Sequence, residues 1–361
     1  DRWIPRLSGL SLTTAMPKKT KEAPVHIPWR VDIADAVQDL AWSPDGRWLA
    51  VAEVSGPLLL IHGDSGAVAQ RWPGHGGGTL KLAWSRDSRW LASSGQDGAA
   101  RLWNPDSAVE HRTLAGGNAW VGGVNFSPYA DNLLITAAGK ELRAWTLDGD
   151  LLKAIQPHAS TITDLAWHPQ QPVLASSAFG KVHLWDWQTP DAPGEQSLSH
   201  SSPLLNVRWS PNGRYLVCGC QDNSLRCWTW PNAESCQMSG YSAKLRTLAW
   251  DRHSRWLATG DREVVTAWDF SQGAPMGQMP RDLEAMTDRV LDLAFQPGGD
   301  ALAAGDQSGH LMIWKTTDPD FQLFWQGALR DGFQRLAWHP QRRLLAVGGA
   351  EGAVSVFEIA A

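Results

Sequence analysis

The residues best equipped for chemistry lie close together past the middle of the chain: Cys218, Cys220, Cys227 and Cys236, with His200 upstream. Thiolate and imidazole are ligands of structural zinc, which usually takes them from loops with C-x2–4-C spacing. Cys218 and Cys220 are two positions apart, so on a strand they share one face, and Cys227 comes from the next strand with its own orientation. The expectation is no metal, and four reduced, buried thiols suited to a reducing compartment. Other reactive constellations are missing from the sequence: no phosphate-cradling glycine loop, no HExxH helix and no GxSxG elbow. Neither an enzymatic centre nor a cofactor is expected.

The elements that carry these residues repeat. Thr79 to Trp103 alternates first, with Leu80, Leu82 and Trp84 on one side and Lys81 and Ala83 on the other, the period of two of a strand. Arg86-Asp87-Ser88 is a polar turn, replaced by Pro44-Asp45-Gly46 in another copy. A second strand over 90–95 turns at Gln96-Asp97-Gly98 into a third that ends at Trp103. Such a meander is too small to bury its own faces, so it needs neighbours of its kind. They are found by aligning the aromatic that closes each first strand: Trp42, Trp84, Phe126, Trp167, Trp209, Trp250, Phe295 and Trp338. The intervals of 42, 42, 41, 42, 41, 45 and 43 residues fit a propeller built from four-stranded units.

Those copies resemble the WD40-repeat family. Gly74-His75 precedes the first strand, Leu-Ala-Ser opens the second, Asp97 marks the turn and Trp103 the third strand, while Trp185-Asp186 and Trp268-Asp269 carry the naming dipeptide. The resemblance covers about 25–359. It implies an all-β fold, a single propeller over 25–361, with eight blades of four antiparallel strands favoured over seven and a stray repeat. The last copy, 333–359, lacks its outer strand, and 25–31 has nothing before it to pair with. The N-terminal strand is therefore expected to complete the last blade, with Pro28 tolerated on an outermost strand.

Composition adds bounds. Twenty-two tryptophans are read as core material, since a buried indole removes about 150–250 Å² from water. A net charge of −5 without a basic stripe argues against nucleic acid. No apolar run approaches the roughly 18 residues of a membrane helix, and no signal peptide is visible, so a cytoplasmic, monomeric protein is expected. Residues 1–24 fall outside the repeat. Met16-Pro17-Lys18-Lys19 looks like a natural polar beginning, which sets 1–15 apart as an upstream or vector-derived piece. A sharper reading takes 1–15 as a fused partner peptide, anchored in a groove by Trp3 and Leu7 and tethered by the polar linker.

The resemblance also assigns the conspicuous histidines. In the family a Trp indole, a Ser/Thr hydroxyl, a His and an Asp form a buried hydrogen-bonded tetrad inside a blade. Blade two matches it fully with His75, Ser93, Asp97 and Trp103; blade five has His200, Asp222 and Trp228 with Cys218 at the hydroxyl position. Blade four keeps His158, Ser176 and Trp185 with Gly180 in place of Asp. Blades three, six and seven keep Trp145, Trp268 and Trp314, and blades one and eight put Ile61 and Phe357 at the Trp position. These residues are structural, not catalytic.

Function then falls to a face of the ring. In WD40 proteins the narrower top face is the commonest docking surface, and its positions map here to Trp120, Phe179, Leu205, Lys244, Arg246, Arg262, Arg289, Gln96, Gln221 and Gln307. The set is lopsided, apolar on blades three to five and basic on blades six and seven. A peptide or partner domain with an apolar anchor beside acidic residues suits it. Two insertions, 189–202 and 271–288, add surface, the second with Met276, Met279 and Met286. A structural assembly subunit without a peptide groove is the alternative. An eight-bladed quinoprotein-type oxidoreductase is less favoured, because its repeats are tied by a different tryptophan motif.

Overall fold

A computed structural model describes residues 10–11 and 25–360, apart from 157, 190–193, 284–285 and 318–319. Eight antiparallel sheets follow one another along the chain. In blade two the alternation read from the sequence becomes Thr79–Trp84, Leu91–Gly95, Ala99–Trp103 and Glu110–Ala115, hydrogen-bonded in that order. The second strands are buried on both faces, as in Trp48–Glu53 and Leu91–Gly95, because each blade is sandwiched between two neighbours. In blade four the second and third strands form one continuous run, Val173–Asp186, that turns back at Gly180 with φ +76°. Gly180 supplies the left-handed backbone that Gly98, also at φ +76°, supplies in blade two, and the turn is one residue shorter, so no residue is left to take the place of Asp97.

The ring closes as the sequence predicts. Val25–Asp32 pairs antiparallel with Ala353–Ile359, and the register shifts between His26 and Trp29, around Pro28. Proline sits where the ladder is already interrupted. Trp29 is buried, and its indole N–H donates to the Gly63 carbonyl of blade one at 2.9 Å. Eight blades of four strands result.

The blades are bolted together by recurring polar contacts. Four of the six closing tryptophans donate the indole N–H to a carbonyl of the preceding blade, Trp42 to Ala337, Trp84 to Ala41, Trp209 to Ala166 and Trp338 to Ala294, at 3.0–3.2 Å. The indole nitrogens of Trp167 and Trp250 are buried without a partner among the described residues. Phe126 and Phe295 have no N–H to give. On the face opposite the tetrads, His339 reaches the Gly46 carbonyl at 3.2 Å and His168 reaches that of Gly213 at 3.1 Å. One joint further round, Asp45 N donates to Ser88 Oγ and Asn212 N to Ser254 Oγ, with both serines at positive φ. The same contacts thus recur four blades apart. A Cβ on Gly46 or Gly213 would lie 2.2 or 2.5 Å from the facing imidazole, so glycine is required at both positions.

Candidate functional site

Blade two forms its tetrad completely. Asp97 Oδ1 lies 2.9 Å from His75 Nδ1, His75 Nε2 lies 2.7 Å from Ser93 Oγ, and Trp103 donates its indole N–H to the same hydroxyl at 2.8 Å. The chain is consistent only if Nδ1 carries the proton and Ser93 donates to Nε2. Arg101 caps the outer carboxylate oxygen at 2.7 Å. Every member is satisfied, which is the condition for a buried network to stabilise. Blade four repeats the inner part, with His158 Nε2 2.9 Å from Ser176 Oγ and Trp185 donating to it at 3.1 Å. Blade six keeps the geometry with another chemistry: the Tyr241 hydroxyl accepts from Trp268 at 2.5 Å and from Thr259 at 3.1 Å. Tyr241 occupies the histidine position nine residues before Trp250, a substitution the sequence reading missed.

Burial, then the charges of His183 and Lys181, pushes His158 from 6.5 down to about 3. The unfolded chain therefore holds a proton on this residue, between those limits, that the folded chain refuses. The contribution to stability is whole above about pH 6.5 and is lost as pH falls toward 3. His158→Gln keeps an acceptor for Ser176 and removes the titration. The fall in melting temperature between about pH 7 and about pH 4.5 is expected to be smaller in the variant; an unchanged slope would contradict the assignment.

Blade five departs from the expected tetrad. Cys218 replaces the hydroxyl, and His200 Nε2 is buried without a hydrogen-bond partner. Asp222 Oδ2 lies 3.8 Å away, beyond hydrogen-bond reach. His200, Asp222 and Trp228 therefore do not form the closed chain expected of them, because the residue that would join His to Trp is a thiol. All four cysteines are buried and unpaired. Cys227 and Cys236 face each other in register across two strands, and the hydrogen bond with Cys236, then burial, pushes the Cys227 thiol up. Burial raises Cys220 to about 11. Among the described residues His200, Cys220 and Asp222 form a group whose potential ligand atoms lie within 4.8 Å of one another.

The top-face residues separate into three groups. Lys244, Arg246 and Arg289, with the half-buried Leu205, line one cavity of about 550 Å³ at the channel. None of the three cations has an ion-pair partner among the described residues. Trp120 and Phe179 stand free on blades three and four, 60% and 59% exposed. Arg262, Gln221 and Gln307 are exposed outside that cavity, and Gln96 is half-buried, its N–H donating to Gly78. Of the three methionines in the second insertion, Met276 and Met279 are exposed and Met286 is buried.

The channel wall itself was not anticipated. Asp39, Lys81, Asp164, Asp292 and Arg335 all lie three residues before a closing aromatic, and they line this cavity or a second one of about 410 Å³. The carboxylates also join blades: Asp39 accepts from Leu82 N at 2.9 Å, Asp164 from Val207 N at 3.2 Å and from Arg208, and Asp292 from Leu336 N at 3.1 Å. Desolvation raises Asp292, against the pull of Arg335. The larger cavity is lined by Lys81, Arg208, Lys244, Arg246, Arg289 and Arg335 against Asp39, Asp261 and Asp292. Its field favours an anion.

Comparison with known proteins agrees with this architecture. The family model described as "WD domain, G-beta repeat" matches residues 32–56, 66–104, 149–186, 195–229 and 277–315. A ribosome biogenesis protein WDR12 homolog from Nematostella vectensis is 30% identical over 131 residues, 35% of this chain but only 31% of that protein. The protein transport protein sec13 of Aspergillus clavatus is 22% identical over 272 residues, covering 64% of this chain and 92% of its own length. Among solved structures, the computationally designed Ika8 protein superposes with a TM-score of 0.74 at 19% identity, covering 91% of this chain and 98% of that one. The last likeness concerns fold alone.

Proposed function

The chain belongs to the WD40-repeat β-propeller family, and from that premise we infer that it is a non-enzymatic binding platform whose top face grips a peptide or partner domain. Relatives in transport and ribosome biogenesis fit a role in protein interaction and assembly. The observation that carries the finer reading is the asymmetry of the channel mouth. Three cations without ion-pair partners among the described residues edge one cavity with Leu205, while an exposed indole and an exposed phenyl ring stand on neighbouring blades. Acidic side chains would meet Lys244, Arg246 and Arg289, and an apolar anchor would cover Trp120 or Phe179. Tryptophan and arginine are the types that most often carry binding energy. The four unpaired thiols support a reducing, cytoplasmic setting.

The test is a paired affinity capture from native extract, with the wild-type chain and a Trp120→Ala/Arg246→Glu variant as baits and melting curves confirming that both fold. A partner held by the first bait is expected to be lost from the second, since two hot-spot losses of about 2 kcal/mol each weaken binding by more than roughly a hundredfold. Equal retention would place binding elsewhere on the ring. The alternative, a structural subunit docked through its rim, draws support from blade seven. There Leu10–Ser11 adds a fifth strand, pairing with Leu329 and Ala328, so the outer edge accepts an extended segment. Trp3 and Leu7, the anchors suggested for 1–15, lie outside the described residues.

A further inference from the structure

We propose that the corner between blades four and five is a binding site for a zinc-class divalent cation, held by His200 Nε2, Cys220 Sγ and the Asp222 carboxylate. The site is clearest by comparison with the same corner of blade two. There His75 is saturated by Ser93 and Asp97, and Arg101 neutralises the carboxylate. Three changes undo that arrangement in blade five. Cys218 removes the hydroxyl that would donate to the imidazole nitrogen. Cys220 stands where blade two has Gly95, whose absent Cβ would lie 2.3 Å from the His75 ring; a thiol is thereby placed against the imidazole. Arg226, at the position of Arg101, turns outward to Ser235 Oγ at 2.8 Å and Gln237 Oε1 at 3.4 Å, leaving Asp222 without its counter-charge.

The result is a histidine with an unmet demand beside a thiol whose hydrogen bond is a long one, to the Cys218 carbonyl at 3.7 Å. The His200 side chain is only 7% exposed, and its Nε2 finds no hydrogen-bond partner, a cost that native cores rarely leave standing. Ser224 donates to Asp222 Oδ1 at 2.6 Å, orienting the carboxylate as a supporting hydrogen bond orients a metal ligand. Zinc–ligand bonds of about 2.0–2.3 Å at tetrahedral angles set ligand atoms roughly 3.3–3.6 Å apart. The three atoms here lie within 4.8 Å of one another, so closing onto an ion requires them to draw together by about 1 Å. Asp222 is 43% exposed, which provides entry and leaves a fourth position to water or a partner's ligand. The retained charge of Arg226 weakens the site without occupying it. Soft sulfur with nitrogen and oxygen selects zinc over magnesium or calcium.

The test uses the full chain, reduced and freed of metal with chelator, with cobalt(II) as a visible stand-in for zinc. One equivalent of cobalt is expected to give tetrahedral ligand-field bands and a thiolate charge-transfer band, both bleached by one equivalent of zinc. Cys220→Ser should abolish the charge-transfer band and Cys227→Ser should leave it, with each variant's melting curve recorded. Asp222→Asn, on the exposed side, removes a ligand with little risk to folding and should lose saturation at one equivalent. No charge-transfer band in the folded wild-type chain would overturn the proposal, as would a band that survives both Cys220→Ser and Asp222→Asn.

Discussion

Trp103→Ala is expected to cost about 3–5 kcal/mol, more than the loss of any top-face residue. The indole is fully buried, stacks on Trp72 with ring centroids 5.1 Å apart and hydrogen-bonds Ser93. Its removal opens a cavity between blades one and two and strips a partner from a buried chain of hydrogen bonds, so transfer, cavity and desolvation costs add. A denaturant melt of the variant should show an early transition. Trp120→Ala, at an exposed site, is the control and should shift the midpoint by less than about 0.5 kcal/mol. Equal midpoints for the two would mean that the blade-two tetrad is not a stabilising feature.

The second large effect is at the closure. Deleting residues 1–32 removes Val25–Asp32 and leaves Ala353–Ile359 as an unpaired edge. It also uncovers the apolar cluster that Trp29 shares with Val51, Ile61, Val354 and Val356. Loss of the Trp29 packing alone is worth about 3–5 kcal/mol, and a bare edge strand invites pairing with another chain. Light scattering is expected to report self-association, together with a broadened melt. A monomer that melts like the full chain would mean that Trp42, His339 and Arg342, which reach Ala337, Gly46 and Asp64 across the same joint, close the ring unaided.

Much of this architecture was legible because a repeat multiplies weak signals. One alternating stretch ending in Trp84 is ambiguous; eight aromatics in register are not. The closing strand was legible too, since 25–31 and the missing strand of the last blade each lacked a partner. What escaped did so for separate physical reasons. Alternation separates the two faces of a strand, but it does not say whether a polar position faces solvent, the channel or the next blade. Lys81 was read merely as the polar phase of its strand, yet it lines the channel with Asp39 and Arg208. Tyr241 escaped because a hydroxyl reaching Trp268 mimics the role of a histidine without sharing its type. Cys220 and His200 were noticed together in the sequence, but strand spacing relates Cys220 only to Cys218, and it is the fold that brings its sulfur near His200 from the preceding blade.

The proposed function requires the channel mouth to recognise an apolar anchor flanked by acidic residues. Selection from a random displayed-peptide library on the immobilised chain tests it most directly, with parallel selection on a Lys244→Glu/Arg246→Glu/Arg289→Glu variant. The expected result is enrichment of peptides with Asp or Glu beside an aromatic or aliphatic residue. Their binding should weaken as salt rises and be lost from the variant. Enrichment of basic or uncharged peptides, or of peptides that bind the variant equally well, would contradict the account.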